Sequence, residues 1–346
     1  KAMTLKEIAA LANVSPSTVS RVLRKDGEKY ASKEVRDRIW KIVQETQYSP
    51  NVNAQKLKMN SKEETEQKKY KIACIYGRGK EFFDDQFFYE IFKGIEQEIY
   101  KNGGVICSSF ALSPHNQTMT FEALKNENVD GVIVLGRCGR EIQNQLVKKL
   151  KNIVFVSLNP SDVEADQIFC DGKRSAETVV EFLYQQNHKK IAYIGELDNE
   201  QRYLGYCNKM KELKLPLKRE WIQKTELTIS SAYENAKQML ENDSSMSAIF
   251  CCNDNVAIGT FKAVTERKLK IPEDISIIGI DDTEMSQFTT PMLTSIRIPK
   301  NEMGVVAAQT LLNRIEKRHK LPMKIELPFR LTIRDSCCRY SDRKEK

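Results

Sequence analysis

The stretch that most restricts what this chain can become is Thr4–Leu23, TLKEIAALANVSPSTVSRVL. Thr4 can open a helix as its N-cap, and Glu7, three residues on, can close a capping box back onto it. Ile8 and Leu11 give that short helix one apolar stripe. Ala12-Asn13-Val14 breaks the stripe and turns the chain. Ser15 then caps a second helix, with Pro16 in its first position, where the missing N–H costs nothing. Val19, Val22 and Leu23 are expected to face inward, which leaves Ser17, Thr18, Ser20 and Arg21 pointing out.

Two short helices joined by a tight turn, the second carrying small hydroxyls and one Arg, read as a helix-turn-helix whose second helix fits the DNA major groove. Arg21 can pair with guanine O6 and N7 through two N–H groups, and Ser and Thr hydroxyls can reach bases or phosphates. The competing reading of the stretch alone is an ordinary helical hairpin packed in some core. Charge argues for the first. Residues 1–58 hold 12 Lys/Arg against 6 Asp/Glu, so six of the chain's eight net positive charges lie in its first sixth. A basic head on a nearly neutral body is the electrostatic footprint of a nucleic-acid-binding module.

Ser32 caps a third helix, with Val35, Ile39, Ile42 and Val43 on its buried face and Trp40 at the edge; Tyr48-Ser49-Pro50 stops it. Asn51–Lys58 has one prominent apolar residue, Leu57, and almost no face to bury. It is either a solvated linker or a short helix that orders on DNA, with Leu57 as an apolar wedge in the minor groove. Residues 59–69, MNSKEETEQKK, are a polar, highly charged linker.

From Tyr70 the texture changes. Short apolar runs at Ile72–Tyr76, Val105–Phe110, Gly131–Leu135, Ile153–Leu158, Ile191–Gly195, Ala248–Cys251 and Ile275–Ile280 alternate with helical periods at Phe87–Lys101, Ser175–Gln186, Asn199–Leu213 and Val256–Arg267. This alternation predicts α/β architecture with largely parallel sheets, and its length suits two such layers better than one. Ligands of open α/β sheets bind outside the carboxyl ends of the strands, which here carry Tyr76-Gly77-Arg78, Gly136-Arg137, Gly195-Glu196, Asn253-Asp254 and Asp281-Asp282. No nucleotide loop, nucleophile elbow or zinc-protease motif sits there, so the body reads as a binding module and not an enzyme. The nine cysteines are not metal-spaced, and His115, His188 and His319 sit in no ligand motif; His188 reads as a structural residue at a helix end. No metal, catalytic residue or cofactor is expected. With 40% hydrophobic and 29% charged residues, no membrane-length apolar run and no leader pattern, the chain is expected to be a cytoplasmic globular protein with reduced thiols and no membrane partner.

The segments TLKEIAALANVS, TVSRVL and YSPNVNAQKL closely resemble the DNA-binding region of the LacI/GalR family of bacterial sugar-responsive repressors. FFYEIFKGIE, VDGVIVLG, HKKIAYIG, RYLGY, CNDNVAIGTFKAV, ISIIGIDDTE and LTSIRIP continue the resemblance in the family's order, from Thr4 to about Asp335. It implies an all-α helix-turn-helix headpiece joined to an α/β periplasmic-binding-protein-like core of two Rossmann-like subdomains linked by three crossing strands. The head would span residues 1–58 with a hinge helix at about 50–58, then a linker (59–69), then the core (70–335). Subdomain 1 would take about 70–167 and 300–327, subdomain 2 about 168–299 and 328–338, with a tail at 339–346.

The resemblance also implies a homodimer on a palindromic double-stranded operator. Thr4, Ser15, Pro16, Ser17, Thr18, Ser20 and Arg21 would lie along the DNA, and paired hinge helices would bring Asn51, Ala54, Leu57 and Lys58 to the minor groove. A sugar effector, a mono- or disaccharide, would sit between the subdomains and change their angle. By motif position Arg202, Asn253 and Asp281 would hold its hydroxyls, and Phe88 would offer an aromatic face; Arg137 joins them by strand-end position alone. Three have a plainer reading: Asp281 as a helix cap, Phe88 as core, Arg202 as a surface residue. A sugar-binding protein without a DNA role is the alternative function.

Overall fold

A computed structural model describes residues 5–15, 18–19, 22, 31–45, 70–77, 85–112 and 117–341. Thr4, Pro16, Ser17, Ser20, Arg21, Asn51, Ala54, Leu57 and Lys58 lie outside the described residues, as does the expected linker. The chain divides into two units, Lys1–Gln67 and Lys68–Lys346.

In the first unit, helix α1 (Leu5–Leu11) ends in a left-handed cap at Asn13, φ 51°. The Val14 N–H reaches the Ala9 carbonyl (3.0 Å) and the Asn13 N–H reaches that of Ala10 (3.2 Å), closing the helix in a Schellman pattern. Ser15 follows as the cap expected for the second helix, its Oγ accepting from the Thr18 N–H at 3.1 Å. Ser32 does the same for α2 (Lys33–Glu45), accepting from the Val35 N–H at 3.4 Å. Ile8, Ala9, Ala12, Val19, Val22 and Ile39 form the buried core, with Val35, Ile42 and Val43 packed on it. The expected Ile8–Leu11 stripe needs correction. The buried stripe is Ile8, Ala9 and Ala12, and Leu11 is 57% exposed. On so short a helix Leu11 sits three residues from Ile8 but on the side away from Ala9 and Ala12, and the two alanines let α1 approach its neighbours closely.

The second unit contains two six-stranded sheets. Strands β1 (Tyr70–Tyr76), β2 (Gly104–Ala111), β3 (Gly131–Leu135), β4 (Ile153–Ser157), β5 (Asp166–Phe169) and a late strand β11 (Lys324–Glu326) make the first, in the order β11-β5-β4-β3-β1-β2. The second holds β6 (Ile191–Gly195), β7 (Ile222–Lys224), β8 (Ala248–Cys251), β9 (Ser276–Asp281), β10 (Thr294–Arg297) and β12 (Arg330–Thr332), in the order β12-β10-β9-β8-β6-β7. All pairings are parallel except β10 with β12. Every residue of β3, β6, β8 and β9 is buried, as strands covered by helices on both faces must be.

On the first sheet lie α3 (Gln86–Lys101), α4 (Gln117–Asn126), α5 (Arg140–Lys149) and α10 (Lys300–Ile315). The second carries α6 (Gly172–Gln185), α7 (Gln201–Glu212), α8 (Ile229–Asn242) and α9 (Asp254–Glu266). Helices α3 and α10 cross where Gly94 faces Asn301 and Gly304 faces Ile91, and a Cβ on either glycine would run into the opposing carbonyl. The chain passes between sheets three times: after Phe169, after Arg297, and between Glu326 and Arg330. The first crossing lies slightly past the expected 167/168 boundary, because all of β5 pairs with β4. A buried carboxylate anchors this strand. Asp166 accepts two bonds from Arg314 of α10, one from His319 Nε2 (2.9 Å) and one from the Met323 N–H (2.8 Å). Among the described residues no helix is long and apolar enough to cross a membrane.

Candidate functional site

The carboxyl ends of the two sheets face a common recess of about 430 Å³, counting the part open to solvent. The loops after β3 and β4 and the start of α3 supply one wall; the loops after β6, β7, β8 and β9 supply the other. Phe88, Arg137, Arg202, Asn253 and Asp281 all line it, so residues separated by up to about 190 positions converge on one cleft. Tyr76 adjoins through Phe88; Arg78 lies outside the described residues.

Asp85 caps α3, accepting from the Phe87 N–H at 3.0 Å, and so fixes where the first turn presents Phe87 and Phe88. Phe88 is both packed into the core and part of the recess wall. It packs edge-on against Tyr76 and Phe87, with ring centroids 5.0 and 4.9 Å away, and it also lines the recess. Opposite, Glu200 caps α7 and grips Arg202: Oε1 accepts from Nε at 2.8 Å and from the backbone N–H at 3.0 Å, and Oε2 accepts from Nη2 at 3.1 Å. Arg202 Nη1 donates to the Cys252 carbonyl at 2.8 Å. Arg202 is therefore a buried cleft residue, not a surface one. Burial would push the Glu200 carboxyl up, but the charges of Arg202 and Arg137 and the bonds from Arg202 hold it down to about 2.

Asn253 ends β8 and caps α9, its Oδ1 accepting from the Val256 N–H at 3.0 Å, which leaves the amide NH2 to serve the recess. Asp281 ends β9 and is no helix cap: its buried Oδ1 has no partner. Its backbone and that of Asp282 adopt positive φ, 124° and 50°, conformations that cost a non-glycine residue of the order of 1–3 kcal/mol each. The Lys300 ammonium ties this bend to α10 by donating to the Asp281 and Asp282 carbonyls at 2.7 and 3.1 Å. Burial and the neighbouring Asp254 carboxylate push the Asp281 carboxyl up, against the pull of Arg202 and Lys300. Asp254 is itself raised to about 6 by burial, although Ser295 and Thr283 donate to it.

Arg137 lines the recess with its guanidinium committed across the opening. Nη2 meets Glu196 Oε2 at 2.7 Å, and Nη1 donates to the Asp198 and Asn199 carbonyls at 3.1 and 2.5 Å. Sequence reasoning missed Asn159, Ser157, Glu200, Asp85 and Leu227. The strand-end rule applied to β4 as to the other strands finds Ser157 and Asn159; the remaining three lie in loops with no comparable signal. Among the described residues only two buried side-chain atoms lack a partner, Asn159 Oδ1 and Asp281 Oδ1, and both residues line this one recess. His188, as expected, is structural: buried, it bonds Ser247 Oγ and the Cys338 carbonyl, each at 3.0 Å.

Comparison with known proteins accords with both units. Residues 4–51 match the family profile "Bacterial regulatory proteins, lacI family", and residues 180–337 match "Periplasmic binding protein-like domain". The ribose operon repressor of Haemophilus influenzae is 29% identical, over 96% of this chain and 98% of its own. The transcriptional repressor PurR of Actinobacillus pleuropneumoniae serotype 3 is 30% identical, over 96% of this chain and 98% of its own. Among solved structures, a complex of the transcriptional regulator CelR with cellobiose superposes with a TM-score of 0.72 at 21% identity, covering 96% of this chain and 99% of the other. A capped helix-turn-helix core, two largely parallel sheets crossed three times and whole-length relatedness to bacterial repressors lead to one conclusion: this chain belongs to the lacI family and is a DNA-binding transcriptional regulator.

Proposed function

We propose that the protein is a homodimeric repressor of a carbohydrate-utilisation operon, bound to a palindromic operator in the cytoplasm and controlled by a small sugar in the cleft. The observation that carries the effector half is the pair of partnerless buried atoms, Asn159 Oδ1 and Asp281 Oδ1. A buried acceptor without a partner costs about 1–3 kcal/mol, and a ligand hydroxyl removes that penalty. Phe88 supplies an apolar face, Asn253 a donor and Arg202 a fixed cation. The reading requires no chemistry on the ligand, only a preference for one closure of the two halves. Relatives named for a ribose operon and a cellobiose complex favour a mono- or disaccharide.

On the DNA side, Thr4, Ser15, Pro16, Ser17, Thr18, Ser20 and Arg21 meet the major groove, and Asn51, Ala54, Leu57 and Lys58 meet the minor groove from a hinge at about 50–58. The core takes 70–335, with its halves at about 70–169 plus 300–327 and about 170–299 plus 328–338. A dimer face is supported by exposed Met285, Phe288 and Met292 just before β10 and exposed Ile333 just after β12, its antiparallel neighbour. The test is a thermal-shift screen against mono- and disaccharides, followed by operator titrations with any sugar that binds. Saturation at about a hundred times the dissociation constant should add about 2.7 kcal/mol of stability. A sugar that stabilises the protein and changes operator affinity supports the reading, and no response to any sugar removes the effector half.

A further inference from the structure

The cleft also restricts the charge of its occupant, an inference that rests on its being the effector site. Among the described residues five ionisable side chains line it: Asp85, Arg137, Glu200, Arg202 and Asp281. Both cations are already matched. Arg202 forms its two-pronged pair with Glu200, and Arg137 lies 2.7 Å from Glu196 and 3.6 Å from Glu200. The ammonium of Lys300, behind Asp281, bonds two carbonyls and lies 3.4 Å from Glu90. Among the described lining residues three acidic side chains stand against two arginines, and Asp254 stands behind Asp281 with its own oxygens occupied.

Of the two atoms that lack partners, Asn159 Oδ1 is an acceptor, and Asp281 Oδ1 accepts once its carboxyl is ionised. Even with its amide turned over, Asn159 would offer only an uncharged group. A phosphate or carboxylate arriving here would have to compete with Glu196 or Glu200 for an arginine, or lie buried beside the Asp281 carboxyl. Each is strongly unfavourable. Hydroxyls arriving at the same atoms meet acceptors that need donors.

We propose that the cleft selects an uncharged sugar whose hydroxyls donate to Asp281 and Asn159, and that it excludes phosphorylated and carboxylated forms of that sugar on charge. Selection against anions follows from the prior pairing of Arg202 with Glu200 and of Arg137 with Glu196.

Calorimetric titration of the full-length protein tests this with ribose, galactose, glucose and cellobiose, and with ribose 5-phosphate, glucose 6-phosphate, galacturonate and glucuronate. The neutral amides of the two uronates control for bulk. For any sugar that binds, the anionic counterpart should bind at least about tenfold more weakly, the loss expected for one charged contact left unmade, while the amide stays within a few-fold of the parent. Glu200→Gln, which leaves Arg202 uncompensated, should narrow the gap between uronate and parent by about tenfold. An anionic sugar that binds as well as its parent, or better, overturns the charge selection and leaves the effector reading standing. Rejection of the amide as strongly as the uronate also overturns it, because the exclusion is then steric. No binding by any sugar of either kind ends both.

Discussion

The guanidinium of Arg137, just after β3, lies 2.7 Å from the carboxylate of Glu196, just after β6. These strands belong to different sheets, so one side chain clasps the two halves of the core at the mouth of the recess. Both partners are largely shielded from solvent, yet the pair is open enough that its contribution to folding should be small, about 1 kcal/mol or less. Its contribution to closure is the more consequential one, because it acts only when the halves are together.

Arg137→Ala is therefore expected to leave the thermal midpoint within a few degrees of wild type and to weaken effector binding by about five- to tenfold, since the effector must then hold the cleft shut alone. Small-angle scattering of the effector-free protein should show a larger radius of gyration. Unchanged affinity and unchanged scattering would remove the clasp from the account.

Effector binding should be linked to protons through Asp281. In the free protein burial and Asp254 raise this carboxyl, with Asp85 adding to the push and Arg202 and Lys300 opposing it. Ligand hydroxyls favour the ionised form and lower it, so binding releases a proton and affinity climbs with pH between the bound and free values, then levels off. Titrations in buffers of different ionisation enthalpy measure that release. Asp281→Asn should abolish both the release and the pH slope; a slope that survives the substitution assigns it elsewhere.

Asp166 is expected to be a major determinant of stability. Asp166→Asn leaves Arg314 without its carboxylate, and loss of one partner of a buried pair typically costs 3–5 kcal/mol. Urea unfolding should show a loss of about that size. Burial would raise this carboxyl, but Arg314, His319 and the Met323 N–H hold it below its ordinary value. Its contribution is thus complete above the unfolded-state pKa and disappears as the pH falls through the lowered one, so the variant should show a flatter acid limb. A loss under 1 kcal/mol would mean that the site reorganises around the amide.

On DNA, Arg21→Ala should cost about 1–3 kcal/mol at one base pair of the operator and relax selectivity there, while salt-sensitive nonspecific binding persists. Leu57→Ala should weaken specific binding and reduce the bend of the duplex. Competition titrations and gel-based bending assays read these separately. Wild-type selectivity in the first variant, or wild-type bending in the second, would contradict the assigned contact.

Several layers of this protein are legible in the residues themselves. Apolar runs such as Gly131–Leu135 and Ile191–Gly195 announce buried parallel strands because burial on both faces demands continuous Val and Ile, a purely local requirement. Ser15 and Ser32 are readable as caps for the same reason: a cap bonds its own next turn. Arg202, Asn253 and Asp281 stand in recognisable motifs at the ends of such runs. By contrast β5, β11 and β12 are three or four residues long and carry Asp166, Lys324 and Arg330, so no periodicity marks them; they are strands because of what lies beside them. Leu11 fits an apolar stripe on paper, and only the packing around Ile8, Ala9 and Ala12 decides which side of α1 is buried.

The same division runs through the site. Strand ends pointed to Arg137, Asn253 and Asp281 in a polar cleft, and the family resemblance added Phe88 and Arg202. Only the tertiary structure decided that Glu200 neutralises Arg202, that Arg137 reaches Glu196, and that Asn159 joins Asp281 as a partnerless acceptor. Hydrogen-bond satisfaction depends on which loops, distant in sequence, are brought within 3 Å of each other, and no local pattern encodes that distance.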